Sequence, residues 1–317
     1  MPISLKSAAG IGGFVRQERF IFKSGQFIVP FDGAYLVTAV GGGGSGARSP
    51  VSGNYMAATG GGAGGFAQKT VQLKKGDVLT AVIGAGGLGV GPGSSGNPGG
   101  ATTVDGPGVA LVANGGGGGN TIPSNAAGTA PGAVGGIASG GDLNVQGGGS
   151  GSAAAIGASA GTAVTGGGAV GVYGVGYASG NASSSVVYAA ISGGAGVGGK
   201  SGNATNTGTT GYGSGHASAV MGTDDVTNST SANGLSNTGL AGDVGFQVRF
   251  LSPVGGVGKP GGATGMFGGG SASSGESAAA AQGGGGSGAA YGAAAGSSKT
   301  GAGGSGMVVI EFLQEIA

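Results

Sequence analysis

Phe27-Ile28-Val29-Pro30-Phe31-Asp32-Gly33-Ala34-Tyr35-Leu36-Val37-Thr38-Ala39-Val40-Gly41-Gly42-Gly43-Gly44 sets side by side the two patterns from which the chain is built. Phe27, Val29 and Phe31 alternate with other residues, the period-2 signature of a strand with one buried face. Asp32-Gly33 is a turn signal, and Ala34 to Val40 reads as the return strand of a hairpin. The strand then runs straight into glycine. The same succession recurs. Val71 and Leu73 lead through Lys74-Lys75-Gly76-Asp77 to a strand from Val78 to Ile83. Val104 leads through Asp105-Gly106-Pro107-Gly108 to Val109–Val112. Further strands are expected at Val244–Leu251, where Val244, Phe246, Val248 and Phe250 alternate, and at Met307–Phe312. No segment carries capped helical periodicity.

Between these strands lie long glycine runs, among them Gly41–Gly44, Gly60–Gly65, Gly84–Gly100, Gly115–Gly119, Gly147–Gly151, Gly255–Gly270 and Gly283–Gly306. Glycine supplies 88 and proline 10 of the 317 residues, a share usual for low-complexity chains. Only 7 % of residues are charged, whereas chains that stay unfolded are mostly charge-rich. With so few side chains to bury, order must come from the backbone. Collagen is excluded, because a Gly-X-Y triplet is not kept. A polyglycine II-type bundle is the favoured reading: three-fold extended chains bonded sideways, with glycine wherever a Cβ would intrude. Long loops packed over a sandwich are the alternative.

Composition also limits the chemistry. There is no Cys or Trp, and His216 stands alone. That removes disulfides, Cys zinc sites and thiol redox chemistry, and leaves no nucleophile-plus-base arrangement. Neither an enzyme nor a cofactor is expected. A net charge of +1 gives no footprint for nucleic acid, and no apolar stretch is long enough to cross a membrane. Met1–Lys6 has no basic, apolar leader, so synthesis in a cytoplasm without export is expected. Two nucleotide-like motifs are accidents of glycine abundance. Gly41, Gly43 and Gly46 follow a strand, but Ala47-Arg48-Ser49-Pro50 is no helix start. Gly194 to Ser201 matches the phosphate-loop spacing, but Gly202–Gly208 is a poor helix.

Charge and aromatics are unevenly spread. Of the 12 Lys and Arg and 11 Asp and Glu, 11 fall within residues 1–79. Phe clusters in the strands, while Tyr173, Tyr177, Tyr188, Tyr212 and Tyr291 lie in the glycine-rich remainder. Tyrosine offers a large amphipathic face at low entropy cost, suited to sugar rings or protein loops. These five, with His216 and the acidic pair Asp224 and Asp225 as polar neighbours, are the candidate contact residues. The plain alternative is that each tyrosine merely covers the bundle.

Several segments together resemble a known family. They are Phe27 through Gly44, Gly60-Gly61-Gly62-Ala63-Gly64-Gly65-Phe66-Ala67, Val71–Asp77, Val82–Gly87, Gly99–Val104 and Gly303–Glu311. They look like the glycine-rich domain of tail fibre and tail tip proteins of tailed bacteriophages, over roughly 27–112 and 282–313. The middle, 113–281, is similar to the polyglycine II adhesins of T-even-type phages in composition alone. The resemblance implies a virion tail protein assembled in the host cytoplasm. Its partners would be other virion tail proteins and a host surface receptor, a polysaccharide or an outer-membrane protein. It also implies a symmetric oligomer, here a homotrimer. A purely structural tail component and an ice-binding or coat-like protein are the competing functions.

The expected architecture is all-β: a small antiparallel β-sandwich carrying a long glycine-rich insert. Residues 1–112 form the framework on the virion side. Residues 113–306 form the glycine-rich region, with a framework strand at 244–251. Residues 307–317 return to complete the sandwich by pairing with N-terminal strands.

Overall fold

The computed structural model describes residues 15–50, 55–122, 127–156 and 300–314, and the shorter pieces 161–165, 167–170, 176, 178–184, 189–192, 204–206 and 213–215. The strands, in chain order, are β1 (Val15–Ile21), β2 (Gly25–Ile28), β3 (Gly33–Val40), β4 (Tyr55–Ala58), β5 (Phe66–Leu73), β6 (Val78–Val82), β7 (Thr102–Gly106), β8 (Val109–Ala113) and β9 (Gly128–Ala130). They continue with β10 (Ala138–Ser139), β11 (Leu143–Val145), β12 (Ala153–Ala155), β13 (Gly161–Val164), β14 (Ala182–Ser184), β15 (Ala189–Ser192), β16 (Ala204–Asn206), β17 (Gly213–Gly215) and β18 (Met307–Gln314). The fold is all-β, with no helix among the described residues. The strand expected at 244–251 lies outside them.

Two five-stranded antiparallel sheets face one another. The first runs β1-β18-β3-β5-β11 and the second β10-β8-β7-β6-β2. Period-2 alternation turns Tyr35, Val37, Ala39, Val308, Ile310 and Phe312 inward from the first sheet. Phe27, Leu79, Ala81, Val104, Leu111 and Ala113 meet them from the second. Apolar burial of this kind is worth about 1.5–3 kcal/mol per large side chain. The C-terminal strand β18 lies between β1 and β3, with Val15 opposite Gln314 and Met307 opposite Val40. The expected pairing of the C-terminal segment with N-terminal strands is therefore present.

The hairpin expected across Asp32-Gly33 does not form. β2 pairs with β6 in the second sheet, and β3 pairs with β18 and β5 in the first. The chain turns a corner between sheets instead. Phe27 and Tyr35 then meet edge-on across the core, 6.5 Å between centroids, rather than side by side on one face. Gly33 makes this corner at φ +150°, with the Phe312 ring so close that a Cβ there would sit 2.7 Å from its Cε2. Lys74–Asp77 is likewise a crossing between sheets. Of the three expected turns, only Asp105–Gly108 closes a same-sheet hairpin, with Gly106 opposite Val109.

At one end of the sandwich, sheet strands continue directly into glycine runs. β3 leads into 41–48, β6 into 84–88 and β8 into 114–120, while 59–65, 94–101, 131–137 and 300–306 lead into β5, β7, β10 and β18. Residues 41–49 are wholly buried at the centre. Their hydrogen bonds follow a three-residue period. The N–H groups of Gly41, Gly44 and Ala47 donate to the carbonyls of Gly65, Gly62 and Thr59. Those of Gly42, Ser45 and Arg48 donate to Gly100, Asn97 and Ser94, and those of Gly43 and Gly46 to Gly304 and Gly301, all at 2.8–3.1 Å. In return, the Gly42 and Ser45 carbonyls accept from Gly116 and Gly119, and the Gly43 carbonyl accepts from Gly87. One extended segment is thus bonded on all sides to different segments.

Only glycine permits this approach. A Cβ at Gly44 would collide with the Gly117 carbonyl, and one at Gly116 with that of Gly62. Burial also follows the three-residue period on the outer runs. Val82, Ala85 and Leu88 are exposed while Gly84 and Gly87 are buried, and Pro131, Val134 and Ile137 are exposed while Ala133 and Gly136 are buried.

Two outcomes follow. Gly44→Ala is expected to destabilise the protein by about 3 kcal/mol, the upper range for forced overpacking, because the obstacle is backbone. Gly25→Ala, with nothing within 4 Å of its Cβ position, is expected to change stability by less than about 0.5 kcal/mol. Denaturant titration distinguishes them. Deleting 307–317 removes the buried Met307, Val308, Val309, Ile310 and Phe312. That loss is on the order of 10 kcal/mol, the size of a whole domain's stability. An insoluble or unfolded product is expected, checked by circular dichroism of whatever remains soluble.

Candidate functional site

The molecule has two chemically different ends. At the end opposite the glycine runs lie the corner at Phe31–Gly33, the crossing at Lys74–Asp77 and the hairpin at Asp105–Gly108. Val15 and Gln314, the outer ends of β1 and β18, meet at the same end. Two of the carboxylates here serve the backbone. Asp32 Oδ1 accepts from the Lys75 N–H at 2.6 Å, and Asp77 Oδ2 accepts from the Lys74 N–H at 2.8 Å. Asp and Asn fix turns by this kind of local bond. The aromatic rings stack into the same end: Phe312 lies 5.0 Å from Tyr35 and 5.9 Å from Phe31, and the Arg19 guanidinium sits 5.2 Å over Phe27. Lys74 and Lys75 remain exposed. Geometry of this kind fixes a shape and displays charge; it does not assemble an acid with a base.

At the other end, runs 59–65 and 131–137 start from β4 and β9, and 147–151 leads to β12. Here two small sheets stack, β16-β14-β12-β9 and β17-β15-β13-β4. Their core is almost entirely alanine: Ala57, Ala130, Ala153, Ala155, Ala163 and Ala182, closed by Ile122. The chain climbs through paired rungs in parallel register, Ala153 beside Ala182 beside Ala204 and Ala163 beside Ala190 beside Gly213. Alanine on the inward face lets the sheets lie close, and polar side chains tie neighbouring segments together. Asn181 Oδ1, for example, accepts from both the N–H and the hydroxyl of Ser152, at 2.8 and 3.1 Å.

In chain order the sequence candidates all fall between β13 and β18. Tyr188 and Tyr212 immediately precede β15 and β17, and His216 immediately follows β17. Tyr173, Tyr177, Tyr188, Tyr212, Tyr291, His216, Asp224 and Asp225 all lie outside the described residues. The phosphate-loop-like Gly194–Ser201 also lies outside it. The other motif is described: Gly41, Gly43 and Gly46 belong to the central buried run, and no helix follows them. Their N–H groups are taken by Gly65, Gly304 and Gly301, leaving none for a pyrophosphate. Among the described residues no cluster of three or more His, Asp or Glu gathers. Sequence reasoning missed Arg48, the largest fully buried side chain among the described residues, at the far end of the central run. Its position between Ala47 and Ser49 carried no signal of burial.

Comparison with known proteins is silent: no family model and no curated protein matches the chain.

One titration is accessible at the turn end. The Tyr35 hydroxyl donates to the Phe31 carbonyl at 2.9 Å, and desolvation by burial, with Asp32 adding repulsion, pushes its pKa above the ordinary value of 10.0. The unfolded chain then loses this proton first. The contribution of Tyr35 to stability is fully present below about pH 10 and is lost as pH rises above it through the folded value. Tyr35→Phe is expected to flatten the alkaline limb of the stability–pH profile, measured by urea melts between pH 8 and 11.

Proposed function

We propose that the protein is a bacteriophage tail fibre or tail tip protein that attaches the virion to a host cell surface receptor. The observation that carries this is the three-residue hydrogen-bond period of residues 41–48, in which successive N–H groups serve three different neighbours. That pattern is what a polyglycine II-type bundle requires, and it supports reading the glycine runs as such a bundle. A rigid scaffold without large side chains has little use in catalysis. It is well suited to holding loops at a distance from an anchoring end.

The polarity of the molecule supports the same reading. β1 begins and β18 ends beside the charged turns, an arrangement fitted to joining another virion tail protein. Tyr188, Tyr212 and His216 flank strands at the opposite end. In this reading the tyrosines contact the receptor, a polysaccharide or an outer-membrane protein, and the working form is a homotrimer. Neither a cofactor nor a nucleic acid takes part.

Purified protein is expected to compete with intact phage for adsorption to host cells. Replacing Tyr173, Tyr177, Tyr188, Tyr212 and Tyr291 together by Ala in the virion is expected to leave full-length tails assembled. If two of the five are contact residues worth about 2 kcal/mol each, affinity falls on the order of a thousandfold. Normal adsorption by that variant would move the contacts to the Asn- and Ser-rich stretch 203–238 or to a different virion protein. Failure of the purified protein to compete would favour a purely structural tail component.

A further inference from the structure

The alanine-cored stack of small sheets ends on an open side. The sheet orders β16-β14-β12-β9 and β17-β15-β13-β4 put β9 and β4 at one edge, where the chain passes straight into the glycine runs after Ala130 and Ala58. β16 and β17 stand last at the other edge, and among the described residues no strand pairs with their outer side. The strands come as facing pairs, β12 with β13, β14 with β15 and β16 with β17, and each pair is one rung. Successive rungs run parallel and in register, Ala153 beside Ala182 beside Ala204. A rung buries its inner face only against its neighbours, so such a stack needs a closing unit at each end.

The rungs share a sequence mark. Gly151-Ser152-Ala153, Gly180-Asn181-Ala182 and Gly202-Asn203-Ala204 open the three first strands, the alanine being the first strand residue each time. The residue before the alanine ties rung to rung, as Asn181 does by accepting from the N–H and the hydroxyl of Ser152. Glycine, then Ser or Asn, then Ala occurs at one further place in the chain, Gly270-Ser271-Ala272. Ser273 and Ser274 follow it as Ser183 and Ser184 follow Ala182. Spacing agrees as well. The second strands begin eight, seven and nine residues after the first ones. The residues seven to nine places beyond Ala272 are Ala279, Ala280 and Ala281, and alanine is what fills the core of these sheets.

We propose that residues 270–281 form a fourth rung, with 272–274 lying parallel beside β16 and 279–281 beside β17. The path of the chain favours this segment as the occupant of the open edges. Residues 216–299 separate β17 from Thr300, whose hydroxyl donates to the Gly46 carbonyl and accepts from the Val90 N–H in the glycine layers. A fourth rung at 270–281 is met on the way back, and it gives two strand edges the backbone partners they would otherwise offer to another chain. Residues 217–269, which hold Asp224, Asp225 and the alternating stretch 244–251, then leave the stack after its third rung and re-enter at the fourth. They are an insert carried on the end of the stack, and the body folds without them. An excursion well beyond about 15 residues is of the length that functional loops have. Nothing in this inference depends on the receptor.

The chain has no Cys, so an introduced pair of thiols is the only pair present. The first test is the full chain carrying Thr205→Cys with Ser273→Cys. In the fourth-rung register these positions are neighbours on parallel strands, about 4.8 Å apart and within reach of a disulfide. The pair is expected to close within one chain under mild oxidation about tenfold or more faster than Thr129→Cys with Ser273→Cys, because closeness sets the effective concentration. Thr129 is exposed on β9, at the opposite edge of the same sheet. A second variant joins Ser218 to Gly269 through a short Gly-Ser linker. It is expected to stay soluble and to unfold at the wild-type urea midpoint, as a body does when a surface excursion is removed. Equal rates for the two thiol pairs overturn the fourth rung. So does a link between positions 205 and 273 found only between chains, which would give the open edges to a second copy. An unfolded deletion variant overturns the insert, while the thiol pairs still decide the rung. The receptor reading is untouched by these results and is decided by adsorption.

Discussion

Everything beyond the sandwich depends on one contact: a backbone N–H of one glycine run meeting a backbone carbonyl of another at 2.8–3.1 Å with no Cβ between them. Each such bond contributes only about 0.5–1.5 kcal/mol net. Ordering the backbone costs about 1–2 kcal/mol per residue and more for glycine. The bonds therefore need to be nearly complete to hold the region together. The central run meets that demand. Its N–H groups from Gly41 to Arg48 all donate, and side chains fill what the runs leave over. The Ser45 hydroxyl accepts from Asn97, and the Thr300 hydroxyl donates to the Gly46 carbonyl and accepts from Val90. An unmade bond there would leave a buried donor with no water to replace its partner.

The sandwich supplies what glycine does not: side-chain burial, and a fixed start for every run. A strand has a repeat of two and a run a repeat of three. The change occurs at shared residues such as Val82, which is outward in both patterns. Because β3, β5, β6, β7, β8 and β18 are already aligned by their sheets, the runs that extend them enter side by side and in register. The order of the sheets becomes the order of the runs. Alanine takes over at the far end, where Ala57, Ala153 and Ala163 pack the small sheets against one another.

How much of this was legible follows from the size of the residues concerned. Strands β3, β5, β6, β7, β8 and β18 are written in Val, Leu, Phe and Ile at period two and were readable, as was the return of the C-terminal strand. The partner of β2 was not. Asp32-Gly33 is the same local signal whether the chain folds back in one sheet or turns into another, and only the Lys75–Asp32 contact and the packing of Phe312 on Gly33 separate the two. The short strands β9, β12 and β14 were invisible because Ala, Ser, Thr and Gly alternate in them with almost no difference in hydrophobicity. Arg48 was invisible for the opposite reason, since an arginine reads as surface. The tyrosines, His216 and the Asp224–Asp225 pair were selected on side-chain chemistry alone, and their positions fall outside the described residues.

The topology also fixes an order of events. Gly43 donates to Gly304 and Gly46 to Gly301, so the central run and the segment before β18 are distant in sequence but neighbours in space. β18 in turn separates β1 from β3. Neither the first sheet nor the bonding of the central run is complete until the C-terminal segment arrives. Contacts of such separation are closed late, after the loop entropy of the whole chain has been overcome. The same strand that closes the sandwich closes the glycine layers, so the two parts are coupled. Loss of β18 opens the edge of β3 and frees the anchored end of the segment that carries Gly301 and Gly304, the central run's third set of acceptors.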